Sequence, residues 1–193
     1  MKLNKIISLI LRGPYQLLFF MKLLFRGSII MFPIRGNTQH LFHSRNVNIG
    51  KRVFIGKRSW LSVKNDACLK IGDGTVINSD FVIACCKSID IGRNVLFADR
   101  VFIGDSDHGF ENLSVPIKDQ PMVGGADVEI EDDCWIGINA IILKGVTIGR
   151  HSIVGAGSIV TKSIPPNSIA VGIPARVIKR YDFEKKEWIQ ASS

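Results

Sequence analysis

Histidine is the side chain best suited to move a proton near neutral pH, and this 193-residue chain has four, at positions 40, 43, 108 and 151. His108 stands apart by its setting. It lies in Asp107-His108-Gly109, a few residues after Ile103-Gly104, within a stretch from Asp105 to Asp127 that follows no regular pattern. An imidazole there is suited to take a proton from a hydroxyl as that hydroxyl attacks an electrophile. Asp105 and Asp107 are its neighbouring carboxylates. Asp107, one residue away, points to the opposite side on an extended chain; Asp105, three residues back, is taken as the orienting group, with a backbone carbonyl as another option. His40, His43 and His151 read as structural or solvated. A zinc centre built on three histidines is not supported, because no histidine lies between His108 and His151. Cys68, Cys85, Cys86 and Cys134 form no CxxC pair and suggest no disulfide framework. They read as small buried apolar groups in a reduced, cytoplasmic protein, with no metal.

What must position His108 is a lattice with a period of six. Ile130, Ile136, Ile142, Ile148, Val154 and Val160 follow one another at that spacing, and two residues before each stand Val128, Cys134, Ala140, Val146, Ser152 and Ser158. Shorter runs precede them: Ile49, Ile55 and Leu61; Ile71, Ile77 and Ile83; Ile91, Phe97 and Ile103. Six divides into a short strand and a tight corner, with the aliphatic residue and the small one before it both facing inward. Three strands and three corners close one triangular coil. Glycine after the aliphatic, as at Gly137, Gly149 and Gly155, is expected to supply positive φ at the corner. Stacked coils pair every backbone group, so the expected class is an all-β parallel solenoid over residues 46–163. The interval 105–127 is its one large extruded loop, of the kind that usually carries function.

The ends differ from this body. Before Asp66 there are twelve Lys and Arg and no acid, although the whole chain carries only +8. A uniformly basic nucleic-acid binder would not divide its charge in this way. Residues 1–45 read as a basic amphipathic segment of short helices, with Leu17, Leu18, Met21, Leu24 and Phe25 on one face. Its longest uncharged run, Gly13 to Met21, is far below the ~20 residues that span a bilayer, and no signal-peptide cleavage site follows. Such a face packs on the protein's own core or lies on an anionic membrane. Residues 164–193 form a cap begun by Pro165-Pro166, ending in a mixed-charge tail from Tyr181 that reads as a helix end or frayed segment.

The hexads, with Trp135 to Gly149 (WIGINAIILKGVTIG) and Val154 to Lys179 (VGAGSIVTKSIPPNSIAVGIPARVIK), resemble the hexapeptide-repeat acyltransferases, in particular the maltose/galactoside acetyltransferase-like and polysaccharide O-acetyltransferase branches. The resemblance implies a left-handed parallel β-helix and a homotrimer with active sites between subunits. It implies direct transfer from acetyl-CoA, with His108 as base, Trp135 beside it and the backbone N–H of Ile138 as oxyanion donor. Gly137, Ala156, Thr161, Lys162, Arg176 and Lys179 would then meet the coenzyme. Lys179 stands where the family commonly has Arg, a point charge in place of a bidentate fork. The expected acceptor is a sugar hydroxyl of a lipopolysaccharide, capsule or exopolysaccharide precursor. The alternatives are a small soluble acceptor (a free sugar, serine or an antibiotic) and, outside enzymes, a non-catalytic solenoid scaffold. The basic apolar N-terminus favours a lipid-linked acceptor.

Overall fold

The sixfold lattice winds into three flat faces around one apolar column. A computed structural model describes Met21, Leu24, Phe25, residues 27–30 and residues 46–191. The first face stacks Ile29–Ile30, Phe54–Ile55, Val76–Ile77, Leu96–Phe97, Trp135–Ile136, Ile153–Val154 and Ser168–Gly172. The second stacks Trp60–Val63, Val82–Cys85, Phe102–Gly104, Ile141–Ile142 and Ile159–Val160. The third stacks Val47–Ile49, Cys68–Ile71, Ser88–Ile91, Val128–Ile130 and Thr147–Ile148. All these pairings are parallel, giving a solenoid.

Like residues sit directly above like. Ile55, Ile77, Phe97, Ile136, Val154 and Ala170 form one buried ladder, Leu61, Ile83, Ile103, Ile142 and Val160 a second, and Ile49, Ile71, Ile91, Ile130 and Ile148 a third. Burying each large aliphatic side chain contributes about 1.5–3 kcal/mol. The residues two positions earlier, from Val128 to Ser158, are buried as well and fill the corners. The serines among them are satisfied: Ser152 Oγ donates to the Pro165 carbonyl at 2.9 Å, and Ser158 Oγ accepts from Gly172 N–H at 3.1 Å.

The corner geometry corrects one expectation. Positive φ falls not at Gly137, Gly149 or Gly155 but at Asp133, Asn139, Gly145, His151 and Gly157, itself a sixfold series. Asn and Asp tolerate this left-handed region because their short polar side chains bond locally, so most of these corners need no glycine. Gly137 answers a different demand, since a Cβ there would lie 2.6 Å from the Ala156 nitrogen of the next coil.

The outward residues distinguish the faces. The third presents Asn48, Lys70, Asp90, Glu129 and Thr147, with Lys70 paired to Asp90 at 2.9 Å. The first presents Phe54, Val76, Leu96, Trp135 and Ile153, and the second Trp60, Val82, Phe102, Ile141 and Ile159. Two faces are apolar outside as well as inside.

Both ends extend the solenoid. Ile29–Ile30 pairs in parallel with Phe54–Ile55, so the ladder begins before Ile49. Most of residues 1–45, including Leu17, Leu18, His40 and His43, lie outside the described residues. At the other end Ser168–Gly172 continues the first face past Pro165-Pro166. The tail is neither a helix nor frayed over residues 175–190: Ala175–Asp182 and Glu187–Gln190 form an antiparallel hairpin on that strand. Tyr181, Phe183 and Trp188 tie it together edge to face, with centroids 5.1 and 5.5 Å apart.

Candidate active site

The chain leaves the second face after Gly104 and joins the third at Val128. Leu96 and Trp135 occupy adjacent coils on the first face, as do Trp135 and Ile153, so one coil takes 39 residues where the next takes 18. The excess is a structured loop. Asp107–His108 pairs antiparallel with Met122–Val123, and Gly109 N–H donates to the Pro121 carbonyl at 2.8 Å. Ile117–Asp119 makes one 3₁₀ turn. Gln120 Nε2 spans the interior to the carbonyls of Asn112 and Val115, at 2.9 and 2.8 Å. His108 is exposed at the corner between the second and third faces, and among the described residues no group hydrogen-bonds its imidazole.

Asp105 does not orient His108, a correction that strand alternation itself supports, since residues three apart point to opposite sides. Its side chain is fully buried, and the carboxylate accepts from Cys86 N–H at 2.8 Å and Lys87 N–H at 2.7 Å. Its own carbonyl receives Ala126 N–H at 2.8 Å, which closes the loop's base. Corner amides left without partners are costly, and they captured this carboxylate before the histidine could. Lys87 to Asp127 at 3.1 Å and Lys144 to Asp107 at 2.5 Å add two ion pairs to the loop. Sequence reading missed both. Lys144 carried a usable signal, because it follows Ile142 as Lys162 follows Val160, one coil apart.

Ile138 and Ala156 occupy a second place, the corner between the first and second faces. Their amides are open for a reason visible in the lattice. At four equivalent corner positions a carboxylate of an adjacent coil covers the N–H: Asp73 on Lys51 at 2.7 Å, Asp99 on Ser79 at 2.9 Å, Asp132 on Arg93 at 2.7 Å and Glu131 on Arg150 at 2.6 Å, while the Lys57 N–H, at the same corner as Ile138, is likewise uncovered among the described residues. Above Ile138 stands Ala156, which has no side-chain acceptor. Among the described residues the Ile138 and Ala156 N–H groups have no acceptor, while Gly157 N–H holds the corner by donating to the Ile138 carbonyl at 2.8 Å. Gly137 is buried between these coils.

Trp135 is half exposed on the outer side of the first face, on a different face from the loop. Thr161 and Lys162 are exposed at the corner of the second and third faces, in the last full coil. Arg176 and Lys179 lie on the hairpin strand over the first face, where Arg176 Nη1 donates to the Ala175 carbonyl at 2.9 Å. The chain therefore gathers His108, Lys144, Thr161 and Lys162 along one edge, and Trp135, Ile138 and Ala156 elsewhere. The cysteines are free, and two are poor nucleophiles: burial pushes Cys134 up to about 11, while burial and the Asp105 charge push Cys85 up further.

The chain is similar to known proteins along this architecture. A model for the bacterial transferase hexapeptide, six repeats, matches residues 127–162. A protein of Escherichia coli K12 named for lipopolysaccharide-biosynthesis O-acetyl transfer, WbbJ, is 32% identical over 84% of this chain and 84% of its own length. Galactoside O-acetyltransferase of the same organism is 30% identical over 84% and 81%. A Mycobacterium tuberculosis protein named as an acetyltransferase, Rv3034c, is 40% identical over 69% of this chain, which spans only 44% of that relative. A crystal structure of a variant of the N-acyltransferase AntD from Bacillus cereus, with dTDP and coenzyme A, shares the fold at 22% identity and a TM-score of 0.65, over 82% of each chain. With its lattice, its loop and these relatives in agreement, the chain belongs to the hexapeptide-repeat acetyltransferases, whose fold is the left-handed parallel β-helix.

Proposed function

We propose that this protein moves an acetyl group from acetyl-CoA directly to a sugar hydroxyl of a lipopolysaccharide, capsule or exopolysaccharide precursor, with His108 as general base. One observation carries the reading: an exposed imidazole on a braced loop, combined with two open backbone amides on the same solenoid. His108 takes the acceptor's proton as its oxygen attacks the thioester carbonyl. The Ile138 N–H meets the oxyanion that develops there, a main-chain donor indifferent to the side chain it carries, and as the intermediate collapses the C–S bond breaks and the coenzyme A thiolate leaves, taking the proton from His108. The coenzyme's arm would pass Gly137 and Ala156, with Thr161, Lys162, Arg176 and Lys179 toward its phosphates, where cations are apt.

A homotrimer completes the site. His108 and Trp135 lie on different faces of one chain, and the two faces that carry apolar outer rows are the two that neighbouring copies would cover. The third face, charged outside, would stay in water. Against a neighbour, the loop edge of one subunit comes beside the first face of the next, which joins His108 to Trp135. Acetyl transfer to a sugar of lipopolysaccharide accords with the name of the E. coli relative that this chain matches over most of its length. The galactoside enzyme's name supports a second reading, a small soluble sugar.

Contact with an anionic membrane would favour the lipid-linked acceptor. Met21, Leu24 and Phe25 are 45, 62 and 86% exposed in this chain, and the sequence around them is basic without an acid. No helix among the described residues is long and apolar enough to cross a bilayer, so the contact would be peripheral, at the inner face of the membrane in a cytoplasmic enzyme. Salt-sensitive cosedimentation of the full chain with anionic vesicles tests it; equal recovery with neutral vesicles argues against it.

Thiol release from acetyl-CoA in the presence of candidate glycan acceptors tests the reaction. His108→Ala should lower turnover by about 10²–10⁴ while the assembly and acetyl-CoA affinity persist. Turnover near that of the natural protein would refute the base.

A further inference from the structure

We infer that Lys144 is a positioning residue for His108, acting through Asp107; the inference rests on the reading of His108 as the base. A two-residue antiparallel ladder is too short to hold its own place, because isolated hairpins are marginal in water. The loop's base is fixed at Asp105 and Asp127, but the His108 strand lies beyond it. Among the described residues, Lys144 is the one solenoid side chain with an ion pair or hydrogen bond to that strand. Its ammonium meets the Asp107 carboxylate at 2.5 Å, one residue from His108.

The returning arm leaves room for the same ammonium. Gly124 follows Met122–Val123, has φ +64, and a Cβ on it would lie 2.7 Å from Lys144 Nζ. Lys144 is thus lodged between the outgoing arm at Asp107 and the returning arm at Gly124. It is carried by the rigid corner after Ile141–Ile142, where Gly145 N–H also donates to the Ala126 carbonyl at 3.2 Å. A pair about half exposed adds little to overall stability. Its leverage is on orientation, since a displacement of roughly 1 Å at a reacting group can cost about a hundredfold in rate.

The test compares Lys144→Met, Lys144→Arg, Asp107→Asn and the double variant Lys144→Met/Asp107→Asn in the full-length protein. Lys144→Met should lower kcat about tenfold, leave KM for acetyl-CoA and the melting temperature unchanged, and speed amide hydrogen exchange at Gly109, whose N–H reports the hairpin. Lys144→Arg should restore most of kcat. Asp107→Asn should match Lys144→Met, and the double variant should be no worse than either, because both remove one interaction. Unchanged kcat in Lys144→Met, additive losses in the double variant, or a loss confined to KM would overturn the inference. His108→Ala run alongside keeps the two readings apart. If it stays active, the assignment of the base fails on turnover, while exchange at Gly109 still decides whether Lys144 holds the strand.

Discussion

Two carboxylates flank His108 within three residues, and the structure gives each a different task. Asp105 closes a corner and Asp107 meets a lysine. On an extended run Asp105, three residues from His108, points to the opposite side, so alternation never favoured it as the orienting group. The ladder continues through Gly104, and the corner amides of Cys86 and Lys87 then claim the carboxylate. Competition of this kind is invisible in a hexad pattern, since it depends on which residue of the previous coil lies alongside. The loop that carries His108 was legible because it is the longest interruption of the hexad lattice. Asp105→Asn is expected to lower stability by about 1–3 kcal/mol, because an amide has only one oxygen to offer the two corner donors and brings a buried NH₂ of its own. It should leave the pH profile of turnover in place, as no proton passes through it. A chemical denaturation curve paired with a pH–rate profile checks both; a shifted profile at unchanged stability would return Asp105 to the site.

At the scale of strands and corners, the inward ladders could be read from the sequence almost residue for residue, since burial alone decides them. The corners could not. Both the glycine after an aliphatic and the residue with positive φ recur every six positions, and the pattern does not say which of the two meets the backbone of the next coil. Gly137 does, and Asn139 takes the left-handed conformation. Gly137→Ala should therefore force the coils apart at Ile138 and Ala156, where the open amides are. We expect a stability loss of about 1–3 kcal/mol, typical of overpacking, and a larger proportional loss of turnover than the equivalent change at Gly50 far from the loop. Equal effects at the two glycines would show that only coil stacking is at stake. The C-terminal hairpin was misread because alternating charge on Tyr181 to Trp188 hides a cross-strand aromatic pair.

For the whole molecule, the outer rows carry information that the inner ladders lack. Every inner ladder is apolar, whereas outside only the third face is charged, which supports an assembly that covers the first and second. Leu96→Arg, on the outer row of the first face and 43% exposed in the single chain, should yield monomers by sedimentation velocity with the β signature intact. A trimer that persists would place the contact elsewhere. A stack of coils is also a polymer in principle: each parallel edge is a template for the next strand, and nothing in the repeat itself sets a length. Here the final strand of the first face, Ser168–Gly172, is paired on its far side by the reversed strand Ala175–Asp182. Direction changes at that seam, so the register that would seat another coil is no longer presented. The hairpin acts as a chain terminator for growth along the axis, and a protein cut after Gly172 would expose a live end able to add molecules head to tail.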